Sequence, residues 1–229
     1  MSATGRGAAR NDRDFYPTPA ALVGAALDHI DLTGSIGHSL TILDPGAGRG
    51  EWGKAARRRW PDARIIGLDL VGDNPDRSVY DEWHAIDFLT WAGTVPDDDR
   101  PDLIIGNPPY NLAESFIRSS IAITQSGGRV VFLLRLNFVA GIKRWGCLWH
   151  EHKPDRVSVC TARPSFSGNG RTDATEYAIY LWRVGHAPSD TILDWLHWQP
   201  DRRARGLGDG KVRGYERQTD RATLYSGAA

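Results

Sequence analysis

Apolar residues along the chain gather in two kinds of run. Short, nearly continuous runs at Leu40–Leu43, Ala63–Leu68, Trp83–Ile86, Leu103–Gly106 and Arg129–Leu136 predict strands buried in a sheet. Between them, stretches of helical spacing at Ala20–Ile30, Glu51–Trp60 and Leu112–Ser126 predict helices. Pro61 stops the second of these, and Gly127-Gly128 ends the third. Thr18 is expected to cap the first, with Pro19 at its first position. Further along, Phe138–His152 and Ser189–Trp198 read as helices, and Val157–Thr161 and Tyr177–Arg183 as strands.

Strands alternating with helices imply an α/β fold: a mostly parallel sheet covered on both faces. The segment between Val157–Thr161 and Tyr177–Arg183 is too short for a crossover helix, so these last two strands are expected to be antiparallel neighbours.

A length of 229 residues suits one globular domain. No apolar run approaches a membrane span. Residues 1–13 are small, polar and basic, lack the apolar core of a secretory signal, and read as a disordered arm before a domain at 14–199. Residues 200–229, rich in Arg and Gly, read as a loosely ordered tail. Cys147 and Cys160 alone suggest neither a disulfide scaffold nor a zinc site, so a cytoplasmic protein without a metal is expected. The formal net charge is zero, but residues 1–100 hold 11 Lys and Arg against 16 Asp and Glu, and residues 101–229 hold 17 against 12. Charge alone leaves a polyanion partner and an ordinary solvated surface equally open.

The first strand runs into Asp44-Pro45-Gly46-Ala47-Gly48-Arg49-Gly50 and then a helix. Strand, glycine-rich turn and helix form the layout of a nucleotide-type cofactor site. Gly46 and Gly48 let the backbone come close to a ligand, but Glu51 stands where a dinucleotide fingerprint wants its last glycine. Carboxylates close three successive strands. Asp44 suits a ligand ammonium group, Asp69 a pair of ribose hydroxyls, and Asp87 an adenine amino group, with Phe88 against the ring. An adenosine with a cationic amino-acid tail, S-adenosylmethionine, fits this set better than a pyrophosphate does. Any one of these acids, taken alone, is an ordinary cap or turn residue; three at three strand ends point to a ligand.

The fourth strand ends in Asn107-Pro108-Pro109-Tyr110. Two prolines hold the chain extended and remove two backbone donors. The Asn107 side-chain oxygen and the Pro108 carbonyl then form a pair of acceptors matching the two hydrogens of an exocyclic amine. Tyr110 supplies a flat face for a planar group. An isolated Pro-Pro would be only a rigid turn.

With this tetrapeptide the chain resembles the amino-methyltransferases of the Asn-Pro-Pro-Tyr signature, whose substrates include adenine N6 in DNA, guanine in ribosomal RNA and glutamine in release factors. Phe15-Tyr16-Pro17-Thr18-Pro19 is similar to the N-terminal motif of DNA adenine methyltransferases, and Arg163-Pro164-Ser165-Phe166-Ser167-Gly168 to their later aromatic motif. The motif order is that of the gamma group, as in small phage- or prophage-type solitary enzymes. The resemblance covers roughly residues 14–184 and departs from larger restriction-linked members in lacking a separate target-recognition domain. It implies a seven-stranded Rossmann-like class I methyltransferase sheet with an antiparallel last hairpin. It also implies that Tyr16, Thr18 and Pro19 cover the methionine end of S-adenosylmethionine, that Asn107 touches cofactor and amine alike, and that Phe166, with Tyr110 and Pro109, holds a flipped adenine. DNA is then the expected partner, with Arg135, Lys143, Arg144, Lys153, Arg156, Arg163 and Arg171 as candidate contacts. Trp145 and Trp149 are expected in the core. Three alternatives stand beside this reading: the same chemistry on RNA or a protein glutamine, a noncatalytic nucleic-acid-binding module, and a nicotinamide-dependent oxidoreductase. The glycine spacing and the tetrapeptide disfavour the last.

Overall fold

The computed structural model describes residues 17–30, 40–70, 78–166 and 173–200. Its strands are β1 (Thr41–Pro45), β2 (Arg64–Asp69), β3 (Glu82–Ala85), β4 (Leu103–Gly106), β5 (Arg129–Arg135), β6 (Arg156–Cys160), β7 (Tyr177–Arg183) and β8 (Ile192–Leu196). They form one sheet in the order β3-β2-β1-β4-β5-β7-β6-β8. The first five are parallel, and β7 runs antiparallel to both β5 and β6. The antiparallel neighbours expected from the short 161–177 connection are therefore present.

Helices α1 (Ala20–Asp28), α2 (Glu51–Arg59), α3 (Phe88–Ala92) and α4 (Ala113–Ile123) cover the sheet. α1, α2 and α4 each bury one stripe, as their spacing dictates, whereas the five-residue α3, which was not expected, buries only Phe88. Leu22, Val23, Ala26 and Leu27 of α1 meet Trp52, Ala55 and Ala56 of α2 on one face. Phe116, Ile117 and Ile123 of α4 pack with Phe88 on the other. Val130–Leu134 of β5 are buried on both sides, which explains their unbroken apolar run.

Three expectations are corrected. Thr18 does not cap α1; Pro19 occupies the cap position, and its carbonyl accepts from Leu22 and Val23. Residues 138–152 do not form one helix. A 3-10 turn (Leu136–Val139), a short α5 (Ile142–Arg144) and a π-helical turn (Trp145–Trp149) follow one another, broken at Gly141, whose φ of 127° lies outside helical geometry.

Ser189–Trp198 is not a helix but contains β8, an eighth strand beyond the expected seven, parallel to β6 from Arg156↔Ile192 to Cys160↔Leu196. Ile192, Leu193, Trp195 and Leu196 are apolar, a spacing that fits neither period cleanly. Ile192, Leu193 and Trp195 are exposed, however, and the inward positions alternate as Asp194, Leu196 and Trp198. Asp194 turns in to meet Arg156 and His29, the residue that caps the end of α1. A charged residue at one inward position hid the period of two.

Candidate functional site

β1 leads to β2 on one side and neighbours β4 on the other, so the sheet order reverses between β1 and β4. Crevices of open α/β sheets form at such a reversal, beyond the carboxyl ends of the strands. The glycine turn after β1 and the tetrapeptide after β4 flank it.

The turn after β1 is built by the backbone. Gly46 and Ala47 donate to the Leu68 carbonyl, each at 2.8 Å, which ties the turn to the end of β2. Gly46, Gly48 and Gly50 all have positive φ. At Gly50 a side chain would also meet the Tyr80 ring at 3.3 Å. Asp69 accepts from the Gly48 amide at 2.8 Å, so this strand-end acid holds the turn. Asp87 caps α3, accepting from the Thr90 amide at 2.9 Å and its hydroxyl at 3.2 Å. Phe88 faces the core against Phe116, with ring centroids 4.8 Å apart.

Asp44 is fully buried. Its Oδ2 accepts from the Tyr80 hydroxyl at 2.7 Å and from the Gly53 amide at 3.2 Å, while its Oδ1 has no hydrogen-bond partner among the described residues. Burial pushes its carboxyl up to about 7, against the lowering effect of the Tyr80 and Gly53 hydrogen bonds. A buried carboxylate with one unanswered oxygen under a glycine turn fits a cationic donor, because a positive charge there offsets the cost of burying the ionised form. The chemistry of an S-adenosylmethionine ammonium group meets that requirement.

Tyr80 was not identified from sequence. It stands just before β3 with no motif around it, and it reaches Asp44 because Gly53 and Gly67 leave room for its ring. A Cβ on Gly53 would lie 2.4 Å from that ring.

Across the reversal point, β4 ends at Gly106 and Asn107 begins the tetrapeptide. The Asn107 side-chain amide donates to the Thr18 hydroxyl at 3.3 Å, and the Trp52 indole donates to the same hydroxyl at 3.4 Å. Thr18 is buried. The segment before α1 is thus joined, through one hydroxyl, to the tetrapeptide and to the helix after the glycine turn. Pro108 is buried, and the Pro109 carbonyl accepts from Leu112 at 2.9 Å, starting the turn into α4.

Tyr110 lies in an aromatic cluster. The Arg135 guanidinium stands 4.8 Å from its ring centroid, and the Tyr177 ring is 5.8 Å away. Phe166 packs edge-on against Tyr177 at 5.0 Å and is itself buried. Burial, then the neighbouring Tyr177 phenol, hold the Tyr110 hydroxyl well above its ordinary range. Burial likewise pushes Tyr177 up to about 12. Tyr177, whose hydroxyl donates to Asp173 at 2.7 Å, is a second member missed from sequence, since a strand tyrosine carries no distinguishing signal.

The candidate cations divide. Arg135 joins the aromatic cluster, Lys143 is exposed, and Arg144 lies 4.7 Å over the Phe138 ring. Arg163 pairs with Glu176 at 2.8 Å. Lys153 and Arg156 lie toward the start of β6, the sheet end away from Asn107, where Arg156 pairs with Asp194. Of the expected tryptophan pair, Trp149 is buried but Trp145 is 63% exposed, so Trp145 is not a core residue. Tyr16, Arg171 and the expected arm at 1–13 fall outside the described residues, as do 201–229 of the expected tail. No helix among the described residues is long and apolar enough to cross a membrane.

No family model matches the chain. A 72-residue stretch is 36% identical to Type II methyltransferase M.CvrRI of Paramecium bursaria Chlorella virus XZ-6E, covering 30% of this chain and 18% of that protein. The chain thus spans under a fifth of the length of the curated relative it matches. Among solved structures, a Listeria monocytogenes protein assigned to the class I S-adenosylmethionine-dependent methyltransferases superposes with a TM-score of 0.58 at 15% identity, covering 83% of this chain and 68% of that one. The methyltransferase subunit of a type I restriction-modification system from Streptococcus thermophilus gives a TM-score of 0.58 at 15% identity, covering 76% and 46%. The type I restriction enzyme M protein M.EcoKI gives 0.55 at 14%, covering 77% and 45%. The fold is that of class I S-adenosylmethionine-dependent methyltransferases, extended at one edge by β8.

Proposed function

We propose that this protein transfers a methyl group from S-adenosylmethionine to the N6 amino group of an adenine flipped out of DNA. The observation that carries the reading is the Thr18–Asn107 hydrogen bond at the reversal point of the sheet. It joins the segment similar to a cofactor-covering motif to the tetrapeptide that suits an exocyclic amine. The relative named a Type II methyltransferase and the restriction-modification neighbours favour DNA over RNA or protein as the substrate.

S-adenosylmethionine, when bound, would supply an electrophilic methyl group and leave as S-adenosylhomocysteine, the N6 nitrogen giving up one proton as its bond to the methyl carbon replaces the carbon–sulfur bond. Asp44 and the glycine turn would hold its amino-acid end, Asp69 its ribose and Asp87 its adenine; Tyr16, Thr18 and Pro19 would cover the site. Asn107 and the Pro108 carbonyl accept from the two N6 hydrogens, which orients the amine and raises electron density on its nitrogen. By taking the Asn107 amide nitrogen, Thr18 fixes which end of that side chain serves as acceptor. The target adenine must leave the duplex, at a cost of a few kcal/mol. Tyr110, Pro109 and Phe166 would receive it, with Arg135, Lys143, Arg144, Arg163 and Arg171 toward the DNA. Catalysis is then positioning and exclusion of water rather than covalent or metal chemistry.

The test is methyl transfer from tritiated S-adenosylmethionine to duplex DNA, RNA and a glutamine-bearing protein, with the modified nucleoside identified by mass spectrometry. N6-methyladenine in DNA is expected. Asn107→Ala is expected to abolish nearly all turnover while leaving most of the cofactor affinity, which Asp44, Asp69 and Asp87 would supply. Label in RNA or protein alone, or normal single-turnover methylation by that variant, overturns the reading.

A further inference from the structure

The segment joining β5 to α5 and the π-helical turn leaves an apolar tip in solvent. Ile142 is 89% exposed, Trp145 63% and Val139 45%. Ile142 and Trp145 are three residues apart and so share one side of the turn. The tip is not a fraying end, because its base is packed. Leu148 and Trp149 are buried, and the Trp149 indole donates to the Val139 carbonyl at 3.0 Å. Phe138 meets Trp149 edge-on at 5.6 Å and Tyr180 at 6.1 Å. Arg118 of α4 donates to the Cys147 carbonyl, which ties the turn to the helix that follows the tetrapeptide. A braced element that holds an isoleucine and a tryptophan outward, the tryptophan touched only at one side by the His150 ring at 6.1 Å, offers both to a partner.

Its position and charge select the partner. The segment departs from Arg135 at the carboxyl end of β5, whose guanidinium lies over the Tyr110 ring, so it rises from the end of the sheet that carries the candidate site. From Leu136 to Trp149 the sequence contains Lys143 and Arg144 and no acidic residue. Basic side chains between apolar ones suit a polyanion with an apolar interior, namely stacked bases behind phosphates. Proteins that deform DNA insert apolar side chains between base steps in this way.

We propose that Ile142 and Trp145 form a wedge that enters the base stack of DNA and fills the gap left by the flipped adenine, while Lys143 and Arg144 hold the flanking phosphates. The inference rests on the DNA reading above. The wedge lowers the cost of extrusion by replacing the contacts that the departing base gives up. It acts only while the base is being unpaired and held out, and it touches neither cofactor nor amine.

This restriction makes it testable. The target sequence is first found by sequencing methylated bases in DNA exposed to the wild-type protein. Single-turnover methylation is then measured on two duplexes, one with the target adenine paired and one with it facing an abasic site. Since unpairing costs a few kcal/mol and about 1.4 kcal/mol is tenfold in rate, the double variant Ile142→Ala/Trp145→Ala should lose at least about tenfold on the paired duplex. Most of that loss should disappear on the abasic duplex, where there is less pairing to break. Trp145→Phe should keep most of the paired rate. With 2-aminopurine at the target, the double variant should also show a smaller rise in emission on binding. Equal losses on both duplexes, or an unchanged emission rise, overturn the wedge while leaving the DNA reading intact. A wild-type protein that methylates no DNA overturns both.

Discussion

Asp44 shows what a single residue at this site is made to bear. Its carboxyl is held up to about 7 against an ordinary value of 3.8, mainly by burial. The sign of the pH effect follows. Between those values the folded protein keeps a proton that the unfolded chain has already released, so stability falls as pH rises through that window and levels off above it. A ligand ammonium group beside Oδ1 favours the ionised form, so S-adenosylmethionine should bind more tightly as pH rises through about 7. Thermal unfolding of the ligand-free protein and equilibrium dialysis of the cofactor, each across this range, check both slopes. Asp44→Asn should flatten them together; a cofactor affinity with no slope in the wild type would place the ammonium group elsewhere. The positions of Asp44, Asp69 and Asp87 were legible in the sequence because an acid that closes a strand is fixed by the strand. Their hydrogen bonds were not. That Asp69 holds the Gly48 amide, and that Asp87 caps α3, depend on turns whose geometry no spacing encodes. Tyr80 was invisible for the same reason: it matters only because two glycines from other elements leave space for its ring.

At the scale of elements, α2 sets local preference against packing. Gly53 lies inside this helix, where replacing glycine by alanine normally gains about 1 kcal/mol. Here the new Cβ would lie 2.4 Å from the Tyr80 ring, which is buried and anchored to Asp44. Overpacking of that kind costs roughly 1–3 kcal/mol, so Gly53→Ala should lower the urea midpoint without changing the slope. It should also weaken cofactor binding by shifting Tyr80 from Asp44. A raised midpoint would mean that the ring yields freely and does not brace the turn. Most of the alternation of strands and helices from α1 to β5 was legible, because α1, α2, α4 and the strands other than β3 bury regular stripes; α3, five residues that bury only Phe88, left no such pattern to read. Beyond β5 the same reasoning failed twice. Gly141 breaks what looked like one helix, and Asp194 occupies an inward position of β8 and breaks its alternation. In both places tertiary contacts, not local pattern, decide the element: the Arg118 tie in the first, the His29 and Arg156 pairs in the second.

For the molecule as a whole, a chain of zero formal charge would have to grip the proposed DNA through a local surplus of cations. Most arginines of the described residues are answered internally: Arg57 by Asp81 at 2.6 Å, Arg118 by Glu151 at 2.6 Å, Arg163 by Glu176 at 2.8 Å and Arg183 by Asp155 at 2.7 Å. Such surface pairs add little stability, but each offsets the charge of a cation. Lys143 pairs with no carboxylate among the described residues and stands exposed beside the Ile142–Trp145 tip. DNA affinity should therefore depend on few cations, and unequally. Each phosphate neutralised contributes about −0.9 to the slope of log K against log salt, so Lys143→Ala should flatten that slope by about 1. Arg163→Ala should flatten it less, because Glu176 already offsets the charge removed. Glu176→Ala should do the reverse, releasing Arg163 and steepening the slope. Fluorescence anisotropy with a labelled duplex over a salt series measures all three. If Lys143→Ala and Arg163→Ala flatten the slope equally, the Arg163–Glu176 pair opens on binding, and the DNA-contacting surface extends from the β5 loop across to the start of β7.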